Sequence, residues 1–71
     1  MTEYLVVIEG GGDNWSAYVP DLPGCVAVGV TREEVERLIR EAMTAHLRGM
    51  REDGDPIPTP SSKAIVVEVA A

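Results

Sequence analysis

Phenylalanine is absent from this 71-residue chain, and tryptophan, cysteine, histidine and lysine each occur once, as Trp15, Cys25, His46 and Lys63. A single cysteine excludes a disulfide within the chain, and one cysteine beside one histidine excludes a structural zinc cluster. Neither usual reinforcement of a mini-protein is therefore available. A domain this small buries a modest share of its surface, so self-association into a dimer or tetramer is the expected remedy. No apolar run approaches the roughly 18 residues needed to span a bilayer, and no membrane partner is expected. The first residues, Met1 to Tyr4, lack the basic start and apolar core of a secretory leader. With the lone thiol, this predicts a cytoplasmic protein.

Periodic apolar residues are abundant. Val35, Leu38, Ile39, Ala42, Met43, His46, Leu47 and Met50 recur at the three- and four-residue spacing that lines one side of a helix. Thr31 and Glu34 form a capping box at its start: the threonine hydroxyl accepts from the Glu34 amide, and the carboxylate is expected to reach back to the Thr31 amide. Gly54 followed by Pro56 marks its end. Pairs such as Glu33 with Arg37 and Glu36 with Arg40 are spaced to satisfy the outer side.

Strands flank this helix. Tyr4 to Ile8 is apolar on both sides, which suits a strand covered by the helix on one face and by a second subunit on the other. Gly10 to Asn14 reads as a hairpin loop. Although rich in glycine, it leads into a strand, whereas a phosphate-binding loop leads into a helix. Trp15 to Val19 is a second strand, with Trp15, Ala17 and Val19 on one side. Pro20 to Gly24 stops it, with Pro23-Gly24 suited to a type II turn. Val26 to Val30 is a third strand whose valines share one side, leaving Ala27 and Gly29 on the other, where small side chains would let another subunit approach. Pro56 to Pro60 is a stiff connector, and Lys63 to Val69 is a fourth strand. The order is βββαβ: a two-layer α+β domain over residues 1–71, one face of its sheet covered by the helix and the other open. Leu5, Val7, Ala27, Gly29 and Val66 are the candidate oligomer interface.

Charge is unevenly placed. The formal net charge is −6; the helix carries five arginines against six acids, while the remaining chain sets Lys63 against Glu3, Glu9, Asp13, Asp21, Asp55 and Glu68. Such strands and loops repel a phosphate backbone and attract a basic protein, so no direct nucleic-acid binding is expected. Cys25 and His46 are the residues a nucleophile hypothesis would use, but Cys25 flanks a turn as a small hydrophobe and His46 lies on the apolar stripe. Glu9, Asp13, Asp21 and Glu68 form no evident metal-binding pattern; no catalytic, metal or cofactor site is expected. Trp15, Tyr18, Asp21, Leu22 and Pro23 are the candidate partner-binding set: aromatics beside a proline-fixed loop bearing an acid. The ordinary alternatives are that Trp15 caps the core, Tyr18 covers a neighbouring strand and Asp21 closes a local turn.

The run Tyr18-Val-Pro-Asp-Leu-Pro-Gly-Cys25, then Gly29 before Thr31-Arg-Glu-Glu34, Ala45-His-Leu47 and Asp55-Pro-Ile-Pro58, resembles the N-terminal domain of the HicB antitoxin family across nearly the whole chain. The resemblance implies a partial ribonuclease H-like fold with strand order 3-2-1-4. It also implies a binding protein, not an enzyme, which occludes a small basic RNA-cleaving toxin of the HicA type. Many family members carry a C-terminal DNA-binding module; this sequence stops at Ala71, and none is expected here. An orphan structural or regulatory homo-oligomer, or a residual metal-dependent nuclease, remain alternatives.

Overall fold

The computed structural model describes residues 2–71. Its elements run β1 (Val7–Gly11), β2 (Asn14–Tyr18), β3 (Val26–Gly29) and α1 (Arg32–Asp53). The strands form an antiparallel meander in the order β1-β2-β3, with both β1 and β3 at edges. One helix packs across one side of this sheet, chiefly over β3 and β2 and least over β1. The α+β class and the three-strand meander agree with the sequence. The first strand is shifted from its apolar run: it starts at Val7, opposite Tyr18 where β2 ends, and continues through Gly10 and Gly11, which pair with Trp15 and Asn14. The reversal is confined to Gly12 and Asp13, with Gly12 at φ 65° as the first central residue of a type II′ turn requires.

Sheet register explains how a large indole fits over a sheet so small. Trp15 pairs with Gly10 on one side and Gly29 on the other, so no side chain flanks it on either neighbouring strand. Next along β2, Ala17 lies between Ile8 and Ala27 on the same helix-facing side. The core consists of Ala17, Val19, Leu22, Cys25, Val35 and Ile39, with Tyr4, Val6, Ile8, Trp15, Ala27, Ala42, Met43 and Leu47 packed partly against it.

α1 begins where its residues dictate. Thr31 is extended (φ −132°, ψ 160°) and its hydroxyl accepts from the Glu34 amide at 3.1 Å. The Glu34 carboxylate accepts at 2.9 Å from the Val30 amide, one residue earlier than the reciprocal bond expected to Thr31. At the other end Gly54 takes the left-handed conformation, donating to Arg51 while Asp55 donates to Met50, the paired bonds of a Schellman cap. The exposed ion pairs are Arg32–Glu36 at 3.6 Å and Arg37–Glu41 at 3.3 Å rather than the glutamate-first pairs expected. At 1.5 Å per residue the helix is about 33 Å long. A strand of five residues spans about half of that, so only Val35 and Ile39, in the first half, are fully buried.

Two expectations are corrected. The valines of β3 face outward, and its small residues face the helix: Gly29 is buried, Ala27 is half-buried, and Val26 and Val28 are exposed. The short β3–α1 connection forces this arrangement. A Cβ at Gly29 would lie 2.8 Å from Glu34 Oε1 and 3.2 Å from the Val35 amide nitrogen, so the element that approaches the glycine is the chain's own helix and not a second subunit. Residues 63–69 form no strand within the described chain, and their apolar side chains stand in solvent, with Ile65 83% and Val66 102% exposed. Proline cannot donate to a ladder, and the Pro56 to Pro60 connector delivers the following segment to the end of the sheet rather than alongside a strand.

Candidate functional site

The face of the sheet away from α1 is the side left open. Strand alternation puts Leu5, Val7 and Glu9 on that side of β1 and its approach, Ser16 and Tyr18 on β2, and Val26 and Val28 on β3. Cross-strand pairing sets Val7, Tyr18 and Val26 in one row and Glu9, Ser16 and Val28 in the next. Tyr18 is 43% exposed, and Val26 and Val28 are both more than 60% exposed. The result is an apolar patch centred on one aromatic ring, with the Glu9 carboxylate at its margin. This composition suits a protein partner: a buried-on-binding anchor surrounded by β-branched side chains that lose little freedom.

At one end of the sheet lies the turn after β2. Val19 donates to Cys25 at 3.2 Å, Leu22 donates to Val19 at 3.0 Å, and Cys25 donates to Leu22 at 3.0 Å. The last bond spans Pro23-Gly24, with Gly24 at φ 85°, as a type II turn requires. Leu22 points inward and is 0% exposed, so it anchors the turn to the core and offers nothing to a partner. Pro23 is exposed and Asp21 partly so.

Asp21 is committed within the chain. Its carboxylate accepts four hydrogen bonds from residues forty positions on: the Ser61 and Ser62 amides, both at 3.0 Å, and the Ser61 and Ser62 hydroxyls at 3.1 and 2.9 Å. Bonds from the Ser62 amide, then the Ser61 amide, hold its carboxyl well below the usual carboxylate range, at about 2. The Tyr4 hydroxyl donates to the Pro58 carbonyl, so the connector is tied down beside Tyr4 and again at Asp21. The acid expected to meet a basic partner is instead the post that holds the C-terminal segment.

The candidate partner-binding set therefore separates. Tyr18 lies on the open face and Pro23 at its end; Trp15 lies half-buried on the helix side; Asp21 and Leu22 serve the fold. Val26 and Val28 share the open face with Tyr18, a placement the sequence concealed, since a valine face looks like the buried face until the helix is placed. Among the oligomer-interface candidates, Leu5 and Val7 are half-buried near the free β1 edge, Val66 is fully exposed, and Ala27 and Gly29 are under the helix. Cys25 is buried, and burial pushes its thiol up, away from the thiolate a nucleophile needs. Among the described residues, no three histidine, cysteine or carboxylate side chains gather as metal ligands do, and no helix is long and apolar enough to cross a membrane.

Comparison with known proteins identifies a family. Residues 4–70 match the family model described as the HicB-like antitoxin of bacterial toxin–antitoxin systems. Antitoxin HicB 2 of Photorhabdus laumondii is 36% identical over 69 residues, covering 96% of this chain and 50% of that protein. A UPF0150 protein of Thermoplasma acidophilum is 32% identical over 66 residues, covering 92% of this chain and 96% of its own. An uncharacterised 14.9 kDa protein of Haemophilus phage HP1 is 38% identical over 55 residues, 78% of this chain and 41% of that protein. The chain thus spans about half or less of two of these relatives and nearly all of the third. Among solved structures, a chain of the HicA3 and HicB3 toxin–antitoxin complex superposes with a TM-score of 0.70 at 27% identity, over 84% of this chain and 70% of that one.

Proposed function

The chain belongs to the HicB-like antitoxin family, and from that premise we propose that it is a binding protein whose open sheet face captures and occludes a small basic RNA-cleaving toxin of the HicA type. The observation that carries the proposal is the likeness to a chain of a HicA–HicB complex, combined with an exposed apolar face on an acidic chain. Tyr18, Val26 and Val28 would exclude water at the centre of the contact. Glu9 and the wider negative surface would steer the basic partner and hold it at the rim. A partial ribonuclease H-like sheet in the order 3-2-1-4 fits this reading, provided a fourth strand joins the β1 edge.

The test is co-expression with a small basic protein encoded beside this one. Rescue of growth and a co-purified complex are expected. Tyr18→Ala should weaken the purified complex by about 10- to 100-fold, the loss typical of a central aromatic anchor, while leaving the helical circular dichroism unchanged. Full affinity in Tyr18→Ala would move the contact off the open face, and no complex at all would end the reading. In the second case an orphan homo-oligomer of the same fold becomes the better account, supported by the exposed apolar segment after Ser62.

A further inference from the structure

We propose that residues 63–69 of one copy add as a fourth strand to the free β1 edge of a second copy, and that the exchange is reciprocal. The proposal is independent of toxin capture. Among the described residues three features carry it: a segment without a strand, an edge without a neighbour, and two hollows beside that edge, between β1 and α1, with apolar floors.

The segment is Lys63-Ala-Ile-Val-Val-Glu-Val69. Four of its seven residues are valine or isoleucine, all 63% exposed or more, a composition that suits a paired strand and is costly to leave in water. Alternation puts Ile65, Val67 and Val69 on one side and Ala64, Val66 and Glu68 on the other. Its root is fixed by the bonds from Ser61 and Ser62 to Asp21, so it leaves the domain from a defined point. The molecule is correspondingly long, 47 × 28 × 20 Å.

β1 is a sheet edge, and α1 covers it least. Along that flank, two hollows open between strand and helix. One is lined by Val6, Ile8, Ile39, Glu36 and Arg40; the other has an apolar floor of Tyr4, Met43 and Leu47 and a polar rim of Thr2, Glu3, Arg40 and Thr44. They lie on the helix-facing side of β1, where alternate side chains of an added strand would point. Ile65, Val67 and Val69 fill them, covering the second half of α1 that the three-stranded sheet leaves half-exposed, while Val66 extends the open face.

A second copy is the occupant for two reasons. Edge and strand are complementary parts of one chain, so a two-fold exchange satisfies both copies and leaves neither β1 edge free. Charge is also close to balance: Lys63 offsets Glu68 on the segment, and Arg40 stands against Glu36 and Glu3 at the hollows, so little there selects the basic partner that the open face would attract.

The experiment uses the full chain alone. Light scattering after size exclusion should give twice 7.6 kDa, or a multiple of that dimer. The double variant Ile65→Asp, Val67→Asp should run as one copy with its helical signal intact, because neither side chain supports the fold of a single copy. In a dimer mixed from labelled and unlabelled chains, isotope-filtered nuclear Overhauser contacts should connect residues 5–9 of one copy with residues 63–69 of the other. A wild-type mass of one copy, a dimer that survives the double variant, or contacts confined within each copy would each overturn the exchange.

Discussion

Asp21 shows how a residue's chemistry can be evident while its role is not. An aspartate between two prolines suggests either a local turn or an exposed charge, and the structure assigns it neither role, because its partners are the tandem serines forty residues away. The available clue was donor count: Ser61-Ser62 offers two amides and two hydroxyls, a match for one carboxylate. The bond pattern sets a pH dependence. The folded carboxyl sits at about 2, against roughly 3.9 when free, so the unfolded chain binds the proton more readily. The clamp's contribution to stability is thus fully present above about pH 4 and is lost as pH falls towards 2. Protection of the Ser61 and Ser62 amides, relative to the intrinsic exchange rate at each pH, should fall over that interval, and Asp21→Asn should show the lower protection already at pH 7. Protection that persists in Asp21→Asn would show that the connector is held by other contacts.

At the scale of elements, α1 and the turn after β2 were legible because their signals are local. Thr31, Glu34, Gly54 and Pro23-Gly24 act within four residues of themselves, and each behaves as its chemistry dictates apart from the Val30 partner of Glu34. β3 was legible as a strand and misleading as a surface. Alternation separates Val26 and Val28 from Ala27 and Gly29, but which set faces inward depends on how closely the helix passes, a non-local fact. The fourth strand failed for a related reason: pairing needs an edge within reach, and composition alone supplies only the preference. The helix start offers a direct check. Thr31→Ala should lower stability by about 1 kcal/mol in urea unfolding, whereas Arg37→Ala, breaking an exposed pair with Glu41, should change it by less than about 0.5 kcal/mol. Equal effects would mean that the Thr31 hydroxyl contributes no more than a surface charge.

For the whole molecule, charge and apolar surface act on different parts of association. In the proposed complex a net charge of −6 would reach across solvent and govern encounter, while Tyr18, Val26 and Val28 would act only after contact. Raising ionic strength from about 0.05 M to about 0.5 M should therefore slow association with a basic toxin roughly 10-fold or more while altering dissociation far less. Stopped-flow measurement separates the two rates, and an association rate indifferent to salt would remove electrostatic steering from the account.

The placement of Trp15 between Gly10 and Gly29 has an optical consequence. It is the chain's one indole, half-buried on the helix side of the sheet, so emission excited at the red edge of the indole band, where Tyr4 and Tyr18 do not absorb, reports on that interface. Lifting α1 from the sheet should red-shift its emission, whereas a partner seated on the opposite face should leave the spectrum nearly unchanged. A single indole can thus distinguish loss of the fold from occupation of the face that the fold presents.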